Sequence, residues 1–182
     1  MLIESIKLNG LLSFSHSAQA IPLQPLNLII GPNGSGKSNL IESIDLLKMV
    51  GEQEHLRFEG GISDWLFKGG DGNSIANIEI LLNNPNGSQK LRYVLSFTEN
   101  NQRLVMVDEK IENAEPFGSE KEPYFYYHFN HGQPVLNVNN EKRSLQREHV
   151  DLDESIISQR KDPDQYPEIT YLEGVQNSVS LA

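Results

Sequence analysis

Eight consecutive residues, Gly31-Pro32-Asn33-Gly34-Ser35-Gly36-Lys37-Ser38, follow the order G-x-x-x-x-G-K-[ST] at every fixed position. Each residue type has a chemical use. Glycines allow a tight turn that aims consecutive backbone N–H groups at one point, an anion cradle. A helix starting near Lys37 would direct its positive dipole end to the same place. Lys37 then sets a charge against the β- and γ-phosphates of a nucleotide, and the Ser38 hydroxyl is a ligand for Mg²⁺. Chance would place such an octapeptide in a chain of this length roughly once in a hundred sequences. The motif thus predicts ATP and Mg²⁺ held by Gly31, Pro32, Asn33, Gly34, Ser35, Gly36, Lys37 and Ser38, with the Asn33–Lys37 amides on the β-phosphate.

Other residues suggest chemistry less firmly. Leu104-Val105-Met106-Val107-Asp108-Glu109 has the apolar-then-acidic form of a Walker B strand, in which Asp108 would hold Mg²⁺ and Glu109 would polarise water. That role requires a strand lying parallel to the one before the glycine loop. Residues 103–108 instead follow the strand-like Leu91–Thr98 after a short turn, which predicts an antiparallel hairpin and no catalytic pair. His128 and His131 lie near a strand end without an evident third ligand, so a structural pair is the expectation. Trp65, in Asp64-Trp65-Leu66-Phe67, is expected as a core anchor rather than a stacking platform.

The elements around these residues follow from periodicity. Leu2–Leu8 alternates apolar and polar side chains and predicts a strand. Leu26-Asn27-Leu28-Ile29-Ile30 is short, apolar and branched, as in a strand buried on both faces of a parallel sheet. After the glycine loop, Leu40, Ile41, Ile44, Leu47 and Val50 fall on one helical stripe that Gly51 terminates. Gly60–Gly72 reads as a loop. Ile75–Leu82, Leu91–Thr98 and Arg103–Asp108 then form a predicted antiparallel meander, followed by a hairpin of Tyr124–Phe129 and Pro134–Val138 around His131-Gly132. From Asp151 a short apolar run precedes a predicted helix after Pro167.

The longer stretch Gly31–Ile44 resembles the G-x-N-G-[SA]-G-K-S-N-[LI]-[LIV]-[ED]-[AS]-I segment of the SMC/RecF-like branch of ABC ATPases, with Asn33 and Asn39 as its distinctive additions. Leu12-Ser13-Phe14 is similar to the element that follows the first strand in that branch, without the basic residue often found there. Asp162-Pro163-Asp164-Gln165-Tyr166-Pro167 is similar to a passage in bacterial predicted AAA-family ATPases of the overcoming-lysogenization and anti-phage type. The resemblance implies that Asn39 joins the nucleotide site. It also implies that Gln159, after Ile156-Ile157-Ser158, is a Q-loop residue at a strand end that reaches Mg²⁺ or the attacking water. The family's site is composite. Its signature loop, late Walker B strand and switch His have no counterpart in residues 1–182, so a homodimer or a second half-domain is expected to complete the ATP site.

Composition bounds the alternatives. There are no cysteines, which excludes disulfides and thiolate metal sites. No run approaches the about twenty apolar residues that cross a membrane, and the N-terminus lacks a secretion signal, so a cytoplasmic protein without a membrane segment is expected. The formal net charge of −10 leaves no overall basic footprint. A strip such as Lys142-Arg143 aside, DNA contact is expected only through other regions or partners.

These readings converge on an α/β fold, a P-loop NTPase core with an antiparallel β-rich lobe, forming the first half of an ABC ATPase head. Residues 1–182 are expected to be a single N-terminal portion: 1–60 the P-loop core, 61–150 the antiparallel insert, 151–182 the Q-loop-like segment and helix. ATP binding is the expected activity, with hydrolysis and head dimerisation in the complete protein and a role in DNA repair or anti-phage defence. A nucleotide-binding regulatory module without hydrolysis is the alternative. A P-loop kinase or GTPase also fits the loop, although the N-K-x-D guanine motif is absent.

Overall fold

The structure, a computed structural model, describes residues 3–51, 61–69, 75–130, 132–138, 141–145 and 154–179. Its centre is one antiparallel sheet of eight strands in the order β2-β1-β3-β4-β5-β6-β7-β8. The strands are β1 (Ile3–Asn9), β2 (Ile21–Pro22), β3 (Ala76–Leu82), β4 (Leu91–Asn100), β5 (Arg103–Asn113), β6 (Phe125–Asn130), β7 (Gln133–Val138) and β8 (Glu141–Ser144). From β3 to β8 every strand pairs with the next in sequence, because the linking turns are too short for a crossover. The β4–β5 turn has both Asn101 (φ 53°) and Gln102 (φ 64°) in the left-handed region, as a two-residue hairpin requires. The Glu99 carboxylate steadies it by accepting the Gln102 amide at 2.5 Å.

Alternation puts one face of the sheet into the core. Ala76, Ile78, Ile80 and Leu82 of β3 and Leu91, Tyr93, Leu95 and Phe97 of β4 are buried, with partly exposed residues between most of them. Their side chains share one apolar cluster with Leu46, Leu47, Ile156, Ile157, Ile169, Leu172 and Val175 of three helices. These helices are α1 (Lys37–Gly51), the single turn α2 (Ile156–Gln159) and α3 (Pro167–Ser178), and each lies against the other two. The predicted helix after Pro167 is α3, with proline at its first turn. Ahead of it the Asp162 carboxylate accepts the amides of Asp164 (3.0 Å) and Gln165 (3.2 Å), so the Asp162–Pro167 passage folds as a side-chain-capped turn.

Two expectations about α1 and its approach are corrected. Leu40, Leu47 and Val50 face the core as predicted, but Leu46 and Ser43 join them, while Ile41 turns outward and Ile44 is half-buried. Ser43 is accommodated because its hydroxyl donates to the Asn39 carbonyl one turn back, at 2.7 Å. Leu26–Ile30 does not form the expected strand, and Leu26, Leu28 and Ile30 are 88%, 84% and 82% exposed. A strand buried on both faces needs parallel neighbours. Every pairing among the described strands is antiparallel, and none reaches residues 26–30.

Residues 61–69 contain a short 3₁₀ turn, Ile62–Asp64, with Ile62 buried and Trp65 packed partly against the core, as expected of an anchor. The Trp65 carbonyl accepts the Leu12 amide at 2.6 Å, which ties this loop to the segment after β1. The start of the last segment at Asp151, the flanks of the Gly60–Gly72 loop and His131 lie outside the described residues.

Candidate functional site

The glycine-rich loop leads directly into α1. Gly34 (φ 80°) and Gly36 (φ 87°) adopt the left-handed conformation that other residues enter only with strain, so the turn depends on those two glycines. Gly31 is constrained differently: a Cβ there would stand 2.7 Å from Ser35 Oγ, so that hydroxyl would have to turn aside. The loop closes through the Ser35 amide on the Pro32 carbonyl (3.3 Å), and the Leu40 amide bonds Gly36 O (3.0 Å) as the first helical bond. The amides of Lys37, Ser38 and Asn39 therefore precede any intrahelical acceptor and are available to an anion.

The Lys37 ammonium folds back over this turn. Nζ donates to the carbonyls of Gly31 and Pro32, both at 2.7 Å, and lies 3.4 Å from Ser35 Oγ. A cation is thus held over the mouth of a loop whose glycines keep it free of side-chain bulk. Gly31–Ser35 and Ser38 are exposed, and Gly36, Lys37 and Asn39 are half-buried. This donor set fits the phosphates of a nucleotide, with the Ser38 hydroxyl as the hard oxygen that a Mg²⁺ ion accepts. From the segment after β1, Ser13 approaches the loop closely enough that a Cβ on Gly36 would stand 3.1 Å from its hydroxyl.

Gln159 stands elsewhere than expected. It ends helix α2 rather than a strand, because Ser155 caps that turn: its Oγ accepts the Ile157 amide at 3.1 Å. Gln159 Nε2 donates to the Glu154 carbonyl at 2.9 Å and faces the Ser155 carbonyl at 3.4 Å. Through α2 it belongs to the elements packed on α1, whose first turn carries Lys37 and Ser38.

Asp108 and Glu109 lie on β5, which pairs antiparallel with β4 and β6, as the short turn predicts. The burial of Glu109 was not foreseen. Val107 is an extra residue opposite β4, between the Ser96–Asp108 and Phe97–Met106 pairs. This bulge shifts the inward phase, so Met106 on one side and Glu109 and Ile111 on the other all face the core. Fully buried, Glu109 accepts hydrogen bonds from Tyr93 Oη (2.9 Å), the Ile156 amide (2.9 Å) and the Ser155 hydroxyl. Burial pushes its carboxyl up to about 7, against the opposing effect of these donors. Its outward neighbour Asp108 sits 3.3 Å from His128 Nε2, and desolvation together with Lys110 lowers the His128 pKa. Sequence reasoning missed Tyr93 and Ser155, and met Ser13 only within the Leu12-Ser13-Phe14 resemblance. Ser155 had a legible signal, as a capping residue before an apolar run.

Known proteins resemble this chain in sequence. A family described as "AAA domain" matches residues 5–176. Structural maintenance of chromosomes protein 2 of Gallus gallus is 34% identical over 113 residues, 61% of this chain and 9% of that protein. The chromosome partition proteins Smc of Fusobacterium nucleatum subsp. nucleatum and Desulfitobacterium hafniense are 34% and 30% identical over 71 and 97 residues. Those matches cover 38% and 51% of this chain and 6% and 8% of the relatives, so the chain spans a small part of their length. A solved structure, from work on ATP-driven dimerization and DNA-stimulated activation of SMC ATPases, has a TM-score of 0.48 and 24% identity, over 62% of this chain and 70% of that one. Among the described residues no helix is long and apolar enough to cross a membrane. With the family match running through residues 5–176, the chain belongs to the AAA domain family.

Proposed function

We propose that this chain binds ATP with Mg²⁺ through Gly31–Asn39. The observation that carries the reading is the Lys37 ammonium held over the glycine turn by the Gly31 and Pro32 carbonyls, beside the leading amides of α1. Lys37 pairs with the β- and γ-phosphates, and the Asn33–Lys37 amides take the β-phosphate. Ser38 holds the metal, with Gln159 as a second oxygen ligand. Mg²⁺ bridges phosphate oxygens and neutralises charge on them. Titration calorimetry with ATP·Mg²⁺ on the wild type and Lys37→Ala tests the reading: equal binding by both removes the loop from the site.

Residues 1–60, 61–150 and 151–182 then act as P-loop core, β lobe and Q-loop-like segment of one ATPase portion. Hydrolysis is completed by a second half-domain or a second copy of the head. The exposure of Leu26, Leu28 and Ile30 just before the P-loop supports the half-domain, since a strand this apolar calls for parallel neighbours. We infer a cytoplasmic role in DNA repair or anti-phage defence, from the SMC-type relatives and the Asp162–Pro167 passage. DNA is contacted through other regions or partners, given the net charge of −10. A regulatory module that binds nucleotide without hydrolysis is the second reading, favoured by the commitment of Glu109 to hydrogen bonds inside the core.

A further inference from the structure

We propose that Glu109 is a positioning residue for the metal side of the nucleotide site: it fixes the first turn of α2, and with it Gln159, to the antiparallel sheet. This rests on the reading of Gln159 as a Mg²⁺ ligand. Sheet and helix meet at this carboxylate through donors of different origin. Tyr93 reaches it from β4 at 2.9 Å, and the Ile156 amide and Ser155 hydroxyl reach it from the start of α2. Ser155 relays the contact, because the Oγ that donates to Glu109 also accepts the Ile157 amide at 3.1 Å. Both leading amides of α2 thus end, directly or through one hydroxyl, on Glu109.

Apolar contacts alone would hold α2 in place without defining its rotation. Ile156 and Ile157 are fully buried, yet two aliphatic side chains in a core tolerate small shifts that a directional hydrogen bond does not. Gln159 lies within the same turn, which the Arg160 amide closes on the Ile156 carbonyl at 3.0 Å. Any rotation at Ile156 therefore moves Gln159. Side chains that orient a metal ligand typically change metal affinity by about 10–100-fold when removed.

The test measures ATP affinity with Mg²⁺ and in EDTA, alongside amide hydrogen exchange at Ile156 and Ile157. Glu109→Ala is expected to hold its Mg²⁺-free affinity within about twofold and to lose about tenfold of the gain that Mg²⁺ brings. The Ile156 amide should exchange faster while β3 and β4 amides do not. Glu109→Gln, which still offers Ile156 a carbonyl oxygen, should restore part of the gain. Should Glu109→Ala fail to fold, Ser155→Ala removes one donor and must show the same pattern in smaller degree. A wild-type Mg²⁺ gain in the folded variants, or parallel losses with and without Mg²⁺, overturns the proposal. Gln159→Ala separates the two readings. If it keeps the Mg²⁺ gain, the Gln159 assignment fails and takes this inference with it. If it loses the gain while Glu109→Ala does not, only the positioning role fails.

Discussion

The backbone amide of Ile156 donates to Glu109 Oε2 at 2.9 Å, across a sequence separation of 47 residues. A residue written like the catalytic end of a Walker B strand thus serves as an internal clamp. Its carboxylate joins the β lobe to the helical turn that bears Gln159. The chemistry of this pair, of the glycine loop and of the segment before it leads to five further expectations.

Lys37→Ala should weaken ATP·Mg²⁺ binding by roughly 1.5–3 kcal/mol, the worth of a hydrogen bond to a charged group, or about ten- to a hundredfold in Kd. Its partners within the chain are loop carbonyls near the surface, so thermal stability should scarcely change. Calorimetric titration and a circular-dichroism melt measure the two effects. A melting temperature that collapses with the affinity would count against a binding role.

Glu109 should make stability depend on pH. Its folded pKa, raised to about 7 by burial, lies above the ordinary value of 4.5. Asp108 beside it and Tyr127 on β6 are the other titratable groups whose charge it meets, with Tyr93 on β4 bonded to it. The folded state therefore binds the proton more tightly. Its contribution is fully present below pH 4.5 and is lost as pH rises through 7, a term on the order of 3 kcal/mol. Urea melts between pH 5 and pH 8 should show a shallower pH slope for Glu109→Gln than for the wild type. Identical slopes would mean that Glu109 does not titrate in this window.

Tyr93→Phe removes one donor to a buried carboxylate and leaves the ring packing intact. A loss of about 1–3 kcal/mol is expected, more than for a surface hydroxyl, because the Glu109 oxygen loses a partner where water is scarce. Denaturant unfolding at pH 8, where Glu109 is ionised, should show the larger cost. At pH 5 the difference should narrow.

Changing Leu26, Leu28 and Ile30 together to Ser should alter the stability of this chain by no more than about 0.5 kcal/mol per site, the ordinary range for exposed positions. The same change should weaken association with a completing half-domain, seen as reduced co-elution or a lower apparent mass in light scattering. A large loss of stability would show that these side chains are covered within the isolated chain.

The chain alone is expected to bind ATP and to turn it over slowly, since hydrolysis also needs a group that orients water and donors that tighten in the transition state. Phosphate release by wild type, Lys37→Ala and Glu109→Gln measures this. Robust turnover abolished by Lys37→Ala would return Glu109 to consideration as an active-site acid.

The glycine turn of residues 31–38 was legible in the sequence because such a turn is a local object. Its glycines, lysine and hydroxyl are contiguous, and the positive φ of Gly34 and Gly36 follows from needing no Cβ there. The meander was legible for the same reason, since two-residue periodicity and short turns specify antiparallel neighbours. Tertiary structure decided the rest. Alternation by itself cannot reveal the bulge at Val107, and one extra residue reverses which side chains face inward; that is why Glu109 lies in the core. Gln159 ends a helix rather than a strand because Ser155 finds its partner on a strand 46 residues earlier. Leu26–Ile30 carries the composition of a buried strand, but burial is a property of neighbours, and the described strands pair with one another instead.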